Sequence, residues 1–474
     1  MSQTPARTRI APSPTGIAHV GTAWMSMFDL ALARQTGGQF IVRIEDTDRM
    51  RFVPEAEAKI YEAFQWLGIE YDEGGEKGGP YAPYKQSERL PIYQKYAEEL
   101  IANGHAYYCF CTSERLKEMR DAQQKAGQLP KYDRRCRNLS AEEVTAERAK
   151  GTPSVVRLKV PDSGKISWED AIRGNVEFDL SVVEDQILLK SDGFPTYHLA
   201  VVVDDHLMKI THVLRGEEWI SSTPKHLLLY QAFGWSAPIF AHMPLIRNAD
   251  KSKLSKRKND VSILSYRDKG YLPEALLNFI TLLGWSHPQE KEIFSFAEFL
   301  EVMSLDRIQK TGPVFDIKKL DWMNGMYIRQ LPAAELKKRL EPFLPSDFPR
   351  ERFDEILPLI VERLVTLKDV EELTSFFYRP VTVDKKELLK KSSAEEVSTQ
   401  LQLTQEALTN IKDWTVANLE HTLRELQEKH DYHKSQYFMM LRLSVTGRTA
   451  TPPLFETMAV IGRDVVLQRL AEVF

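Results

Sequence analysis

The chain has 474 residues, a formal net charge of −4 and 43% hydrophobic residues, so it is long enough to form several domains with buried cores. Its three cysteines are too few for a disulfide framework, and it has neither a signal-peptide core nor an apolar run of membrane-spanning length. We therefore expect a cytoplasmic protein, not an exported or membrane-embedded one. With a charge this close to balance, any nucleic-acid binding requires a local cluster of cations.

The N-terminal segment alternates between strand and helix patterns. Apolar runs and helical periodicity predict a strand over 8–11, a helix over 20–36, a strand over 40–45 and a helix over 54–67. This alternation is typical of a Rossmann-type, doubly wound parallel sheet. We assign residues 1–86 to the first half of such a domain.

The pattern then changes twice along the chain. Residues 87–194 mix helices with strand-like runs, which predicts an inserted α+β domain, and the Rossmann alternation resumes over 195–262. Beyond this point almost no strand signal remains, so we predict an all-α C-terminal half. Its predicted divisions are 263–332, 333–385 and 386–474.

Two segments far apart in the chain have the composition of one nucleotide site. Residues 12–22 join the first strand to the first helix, whose N-terminus offers free N–H groups to an anion, and Gly16 and Gly21 allow close approach to the backbone. Residues 253–258, Lys-Leu-Ser-Lys-Arg-Lys, place four cations around a serine, which suits a polyphosphate whose charge grows during reaction. Alone, the first segment would be an ordinary turn and the second a solvated surface. Their combination indicates ATP binding.

The two segments resemble the signatures of class I aminoacyl-tRNA synthetases, the HIGH motif at 19–22 (His-Val-Gly-Thr) and the KMSKS motif at 253–257 (Lys-Leu-Ser-Lys-Arg). The resemblance to bacterial glutamyl-tRNA synthetases is dense over 8–330. It is carried by the runs 8–16, 40–48, 194–198, 202–206 and 212–219. The family resemblance implies ATP-dependent ligation of L-glutamate to tRNA-Glu through a glutamyl-adenylate, with Mg²⁺ accompanying ATP, in a cytoplasmic monomer.

The same resemblance implies functions for the predicted domains and for individual residues. The domains are a catalytic domain (1–86 and 195–262), an acceptor-end-binding insertion (87–194), a stem-contact domain (263–332) and two anticodon-binding domains (333–385 and 386–474). The implied catalytic residues are His19, Thr22, Lys253, Ser255 and Lys256. The implied ATP-binding residues are Gly16, His19, Gly21, Glu218, Trp219, Lys253 and Lys256. The implied glutamate-binding residues are Arg9, Ser13, Glu45, Tyr197 and Arg215.

Arginine suits a pocket that must accept glutamate and reject glutamine. Its planar fork pairs bidentately with a carboxylate and cannot accept the N–H groups of an amide, so Arg9 and Arg215 fit this task. Without the resemblance, an Arg9–Glu45 ion pair between neighbouring strands and a core position for Trp219 would be the simpler interpretations. Some family members carry asparagine where this chain has Val201, so one polar contact of the pocket is expected to differ.

The predicted insertion contains a set of candidate metal ligands. Three thiolates with a fourth protein ligand suit a closed tetrahedral zinc site, and some members of the family bind zinc through the same Cys-x-Cys and Tyr-x-x-x-Cys pattern. We therefore expect a structural zinc ion, with buried free cysteines as the alternative. The candidate ligands are Cys109, Cys111, Tyr132 and Cys136.

Contacts with both ends of a tRNA are expected by the same resemblance. The turn with Arg134, Arg135 and Arg137 is the candidate for the acceptor end, its alternative being an ordinary basic turn. Arginine at 363 is the residue of members that charge only tRNA-Glu, which favours a discriminating enzyme; the alternative is a non-discriminating one that also charges tRNA-Gln. The positions that match anticodon-reading residues are Arg363, Arg442, Thr451 and Pro452.

Four other assignments fit the sequence less well. A glutaminyl enzyme reads the anticodon with β-barrels, whereas the C-terminal third here has no period-two alternation. The paralogue that modifies the queuosine of tRNA-Asp has no anticodon domain. A cofactor nucleotidyltransferase would not need the helical tail, and a non-catalytic RNA-binding protein would not need both phosphate motifs.

Overall fold

The computed structural model describes residues 4–128, 130–254 and 260–473. The chain forms two compact units, one of Met1–Tyr266 with Leu276–Asp316 and the other of Arg267–Ala275 with Ile317–Phe474. No described helix combines the length and the apolar composition that a membrane span requires. The six-domain division stays a prediction, since the two units are a coarser partition.

The strands all lie in the first unit. They are β1 (Arg7–Ile10), β2 (Gln39–Val42), β3 (Glu73–Gly74), β4 (Ala106–Cys109), β5 (Val155–Leu158), β6 (Lys165–Asp170), β7 (Gly174–Asp179), β8 (Ile187–Leu189), β9 (His212–Gly216) and β10 (Ile239–Met243). The helices up to residue 302 are α1 (Val20–Gln35), α2 (Ala56–Leu67), α3 (Leu90–Ala102), α4 (Ser113–Lys125), α5 (Ala141–Ala149), α6 (Tyr197–Leu207), α7 (Thr223–Ala232), α8 (Ile263–Asp268), α9 (Pro273–Thr281) and α10 (Phe296–Val302).

A parallel sheet forms the centre of the first unit. β1, β2 and β3 pair in that order, and β9 pairs with β10, all in parallel. The two sets meet where the amide of Thr211 donates to the carbonyl of Arg7 at 2.9 Å. The intervening segment contributes an antiparallel sheet of β4, β5 and β8 and the hairpin β6–β7. The predicted Rossmann-type sheet with an α+β insertion is therefore confirmed.

A group of buried charges joins α6 to the rest of the first unit. Asp205 accepts from Arg9 Nε at 3.1 Å and from Arg43 Nη1 at 2.7 Å. The neighbouring Asp204 accepts from Arg89 Nε at 2.8 Å. All five side chains are buried, and because charges in a dry interior are costly when unpaired, each ion pair fixes the position of two elements.

The second unit is helical throughout its described residues and contains no strand, which confirms the predicted all-α C-terminal half. Its helices pack around one core that includes Ile356, Leu364, Leu419 and Leu441, each fully buried. The helices are α11 (Ile317–Gln330), α12 (Ala333–Leu340), α13 (Phe353–Ile360), α14 (Val370–Thr374), α15 (Lys385–Leu388), α16 (Ala394–Thr409), α17 (Val416–Lys429), α18 (Lys434–Thr446), α19 (Leu454–Ile461) and α20 (Arg463–Ala471).

Replacing Asp204 tests whether the buried charges hold the first unit together. Asp204→Ala leaves the buried Arg89 and Arg43 without one of their counter-charges, so we expect the free energy of unfolding to fall by about 3–5 kcal/mol. Urea unfolding followed by tryptophan fluorescence measures the change. The control is Glu177→Ala, which removes an exposed partner of Lys165 and should leave the urea midpoint where it is. An unchanged midpoint for Asp204→Ala would contradict this account.

Candidate active site

The predicted phosphate-binding segment, residues 12–22 (the phosphate loop), leads into the start of α1. His19 is the N-cap residue, and its Nδ1 accepts from the amide of Gly21 at 2.8 Å. Gly21 has no Cβ, and one added there would lie 3.1 Å from that nitrogen. Gly16 has a φ of 139°, a conformation that favours glycine. The first turn of α1 carries no acidic side chain, so the helix itself places no anion at its positive end.

The chain that follows the KMSKS segment returns to this loop. The amide of Val20 donates to the carbonyl of Val261 at 2.9 Å, and the amide of Ile263 donates to that of Ala18 at 3.0 Å. Lys253 lies 3.3 Å from Glu218 through its ammonium group, and its side chain is largely exposed. Ser255 and Lys256, to which the resemblance assigns phosphate contacts, lie outside the described residues.

A cavity of about 750 Å³ lies beside the phosphate loop. It is lined by predicted and unpredicted residues alike. The predicted lining residues are Arg9, Ser13, Glu45, Tyr197, Arg215, Glu218 and Trp219. Those without a predicted role include the cations Arg49, Arg51 and Lys190 and the acidic residues Asp48 and Asp192.

The two arginines of the predicted glutamate pocket differ in their partners. Arg9 is paired with Asp205, while Glu45 accepts from Arg43 Nη2 at 3.0 Å. The simple Arg9–Glu45 ion pair is therefore wrong, because each residue has another partner. Burial raises the pKa of Glu45, although Arg43 and Arg9 oppose that shift.

Arg215 is buried yet has no carboxylate within ion-pair distance among the described residues. Its Nη1 donates to the Tyr197 hydroxyl at 3.2 Å and lies 3.1 Å from His226 Nδ1. Its Nη2 donates to the Thr223 hydroxyl at 2.7 Å, and its Nε donates to His242 Nε2 at 3.0 Å. These acceptors are neutral, because burial lowers the pKa of both histidines. The guanidinium therefore keeps an uncompensated positive charge beside the cavity.

An aromatic wall completes the cavity. The Trp219 and Tyr197 rings lie with centroids 4.3 Å apart, and Trp219 is 37% exposed, so it is not the core residue that its type alone suggests. A Cβ at Gly216 would lie 2.0 Å from the Glu218 carboxylate, so a larger residue there would require the Glu218 side chain to move. Val201 is buried in the apolar core and offers the pocket no polar group.

Comparisons with known proteins agree with this geometry. Residues 5–322 match the family model of class I tRNA synthetases (E and Q), catalytic domain, and residues 335–474 match an anticodon binding domain. The chain is 48% identical to a glutamate–tRNA ligase of Acidothermus cellulolyticus over 98% of this chain and 94% of that protein. It is 46% identical to one of Rhizobium etli over 99% and 97%.

A solved structure supports the same assignment. The crystal structure of a glutamate tRNA ligase from Elizabethkingia meningosepticum in complex with its amino acid has a TM-score of 0.89, 36% identity and 99% coverage of both chains. The chain belongs to the glutamate–tRNA ligase family. In this chain, the segment that matches the catalytic domain contains the cavity described above, and the segment that matches the anticodon binding domain forms the C-terminal part.

The cysteine cluster of this glutamate–tRNA ligase family member has the geometry of a metal site. The three Sγ atoms all lie within 4.8 Å of one another, and Cys111 Sγ is 3.6 Å from Cys136 Sγ. Tetrahedral zinc with Zn–S bonds of about 2.3 Å places thiolates about 3.8 Å apart, so the thiols fit. The Tyr132 hydroxyl is 3.2 Å from Cys109 Sγ. A hydrogen bond from Cys136 lowers the pKa of Cys109 to about 4.

The basic turn next to the cysteines is held by its own ion pairs. Arg134 and Arg137 both bind the buried Asp185, through contacts of 3.1 Å each. Only Arg135 of the three is exposed. Two of the arginines expected at the acceptor end thus fix the turn, which is what an ordinary basic turn would show.

The predicted anticodon residues come together in the second unit. Arg442 Nη1 donates to the carbonyl of Pro452 at 2.9 Å and also contacts the Thr451 hydroxyl. Burial lowers the pKa of Arg442, and the nearby charge of Arg363 lowers it further. Two cations therefore lie close together, although no carboxylate pairs with either among the described residues.

Several residues of the active site were not identified from the sequence. Asp205 lies in the run 202–206, which is part of the family resemblance, but no role was predicted for Asp205 itself. Asp170, His226 and His242 had none either, since a lone histidine or aspartate without a motif carries no signal. Their role becomes visible only where they surround Arg215.

Proposed function

We propose that this chain activates L-glutamate with ATP in a tRNA-dependent step and transfers it to tRNA-Glu, rejecting tRNA-Gln. The observation that carries the amino-acid specificity is the buried Arg215 with neutral acceptors only. A guanidinium of this kind gains a counter-charge when a carboxylate enters the cavity, and a glutamine side chain brings none. We further propose that the chain acts as a cytoplasmic monomer.

The reaction needs positioning and charge stabilisation, not a protein nucleophile. A carboxylate oxygen of glutamate attacks the α-phosphorus of ATP, and the bond to pyrophosphate breaks; a ribose hydroxyl of the tRNA then attacks the activated carbonyl and releases AMP. Charge accumulates on the departing pyrophosphate, so the N-terminus of α1 with His19 and Thr22 and the mobile charge of Lys253 suit this step. Mg²⁺ enters as part of the MgATP substrate. Ser255 and Lys256 keep their proposed phosphate contacts.

The charges of the side chains that line the cavity suggest which group of the substrate each of them binds. Arg215 and Arg9 supply cations for carboxylates, with the Tyr197 hydroxyl and Ser13 as further hydrogen-bonding groups. Glu45, which follows β2, supplies the anion for the ammonium group, because it is the acidic residue among the predicted glutamate-binding residues. Glu218 and Trp219 suit the ribose and the adenine, since the exposed indole face offers a stacking surface.

We propose that the cysteine cluster holds a structural zinc ion with ligands Cys109, Cys111, Cys136 and Tyr132. Three thiolates on Zn²⁺ carry a net charge of −1, and two arginines lie beside the site, of which Arg115 is also paired with Asp133. Arg115 Nη1 lies 3.4 Å from Cys111 Sγ, and the Arg157 guanidinium lies over the Tyr132 ring at 3.9 Å. Because these ligands connect β4 to the basic turn, the ion would stabilise the insertion and take no part in the chemistry.

Anticodon discrimination is proposed for Arg363. The third anticodon base is C in tRNA-Glu and G in tRNA-Gln. Arginine only donates, so it fits the O2 and N3 acceptors of cytosine and opposes the N1–H and N2–H donors of guanine. Arg442, whose guanidinium is held on the Thr451–Pro452 turn, suits a neighbouring base.

Pyrophosphate exchange with each amino acid, with and without tRNA, tests the activation step. We expect exchange with glutamate only when tRNA-Glu is present. Arg215→Gln should raise the glutamate KM by about 100-fold, on the order of 3 kcal/mol, because the carboxylate loses its counter-charge. The thermal unfolding temperature should not fall, since no buried anion is left unpaired. Arg34→Gln, at an exposed ion pair, is the control. Exchange with glutamine, or without tRNA, would contradict the proposal.

Metal analysis tests the zinc site. The purified protein should contain about one zinc ion per chain, and Cys109→Ser with Cys111→Ser should lose it. Tyr132→Phe should weaken binding if the hydroxyl is the fourth ligand, and competition with a chromophoric chelator measures this. Protein that contains no zinc after purification without chelators would refute the site.

Aminoacylation of the two tRNAs tests discrimination. Wild type should charge tRNA-Glu with a much higher kcat/KM than tRNA-Gln, and Arg363→Gln should reduce this ratio by about tenfold or more, as expected for one base contact worth about 1–3 kcal/mol. Glutamate activation with tRNA-Glu should persist in the variant. The control is Arg350→Gln, an exposed arginine paired with Glu341. Similar kcat/KM values of wild type for both tRNAs would show the enzyme to be non-discriminating.

A further inference from the structure

Arg215 reaches beyond the cavity to a histidine on the neighbouring strand. In the parallel pairing of β9 with β10, Arg215 and His242 are direct partners. Arg215 Nε is a donor in every state, so His242 Nε2 must accept with its lone pair at 3.0 Å. The ring proton of a neutral His242 is then on Nδ1, which lies 2.5 Å from Asp170 Oδ2. The three groups form one chain of hydrogen bonds with a fixed direction.

Asp170 comes from the inserted segment, ends β6 and is fixed by the turn that follows it. Its Oδ1 accepts from the amides of Ile172 at 3.1 Å, Arg173 at 3.0 Å and His242 at 3.1 Å. Arg173 in turn donates from Nε to the His242 carbonyl at 3.0 Å and pairs through Nη2 with Glu217 at 2.8 Å. The turn of the β6–β7 hairpin is therefore attached to β10 through backbone and side chains. Asp170 Oδ2 faces the imidazole and also accepts a long hydrogen bond from Trp168 Nε1 at 3.4 Å.

The local electrostatics keep the chain of hydrogen bonds in this state. Asp170 and His242 are both buried. Burial lowers the pKa of His242, so the imidazole stays neutral, while the hydrogen bond with Asp170 fixes its proton on Nδ1. A protonated imidazole would present an N–H to the Nε–H of Arg215 and would add a second positive charge beside it.

We infer that Asp170 and His242 are positioning residues for Arg215: they fix the tautomer of the imidazole, and the imidazole fixes the plane of the guanidinium that faces the glutamate carboxylate. This inference rests on the proposed function. The specificity pocket thus includes a residue of the segment inserted between the two halves of the sheet. A guanidinium binds both oxygens of a carboxylate only when the two groups are coplanar. A guanidinium that rotates out of that plane therefore loses part of its affinity for the carboxylate.

The isosteric variant Asp170→Asn changes the tautomer with little change in packing volume. Asparagine keeps Oδ1 and its three amide donors but presents an NH₂ group to His242 Nδ1, and it gives up the 3.4 Å contact with Trp168 Nε1. The imidazole must then accept at Nδ1 and carry its proton on Nε2, where it opposes the Nε–H of Arg215. We expect the glutamate KM in tRNA-dependent pyrophosphate exchange to rise at least about tenfold, with kcat at saturating glutamate reduced much less.

A second substitution distinguishes positioning from a general defect of the hairpin. In Asp170→Asn with His242→Gln, the amide of the new glutamine can rotate to present its oxygen to Arg215, so the double variant should recover most of the lost affinity for glutamate. Nitrogen-15 NMR of histidine-labelled protein should show the His242 proton on Nδ1 in wild type and on Nε2 in Asp170→Asn. The control is Glu177→Gln on the exposed face of the same hairpin.

Four outcomes would overturn the inference. They are an unchanged glutamate KM in Asp170→Asn, an unchanged tautomer in that variant, a double variant as impaired as Asp170→Asn, and a Glu177→Gln control with the same defect. A wild-type chain that activates no glutamate would instead overturn the proposed function, whereas the NMR comparison still reports whether Asp170 sets the tautomer.

Discussion

The first unit depends on how its buried arginines are paired: most of those around the cavity have a carboxylate partner, whereas Arg215 has only neutral hydrogen-bond acceptors. Arg9 and Arg43 share Asp205, and Arg89 binds Asp204, so these cations fix α6 against two strands and the start of α3. Such pairs are costly to break, and they make the walls of the cavity rigid. Arg215 lines the same cavity, and its hydrogen-bond acceptors are all neutral. A rigid site that keeps one cation without a counter-charge is preorganised for an anion.

Residues from three segments of the chain are connected to that cation. β9 supplies Arg215, β10 supplies His242, and the end of β6 supplies Asp170, so three segments form one chain of hydrogen bonds that ends at the guanidinium. An insertion between the halves of a sheet can sit on the surface without touching the site. Here its hairpin turn is bonded to β10 through Arg173 and Asp170, and the insertion therefore has a structural connection to the pocket.

The sequence predicted most of the architecture because its signals are local. Strand and helix boundaries fell within a few residues of those observed, as for the helix expected over 20–36 and found at Val20–Gln35. The phosphate loop and the cysteine cluster were found because their residues are close in sequence or belong to a motif. The partners of Arg9 and Arg215 were not found, since Asp205 is 196 residues from Arg9 and no spacing encodes such a contact.

In the second unit, the partners of the arginines separate those that stabilise the fold from those that are candidates for RNA recognition. Arg379 contacts Asp347 and Glu371, and Arg350 contacts Glu341, so their charges are compensated within the fold. Arg442 and Arg363 instead lie near each other, and their mutual repulsion helps to lower the pKa of Arg442. Keeping two like charges together costs stability unless something else gains from it. An RNA base edge rich in acceptors, flanked by phosphates, would provide that gain, which is a physical argument for the anticodon contact proposed for these two arginines.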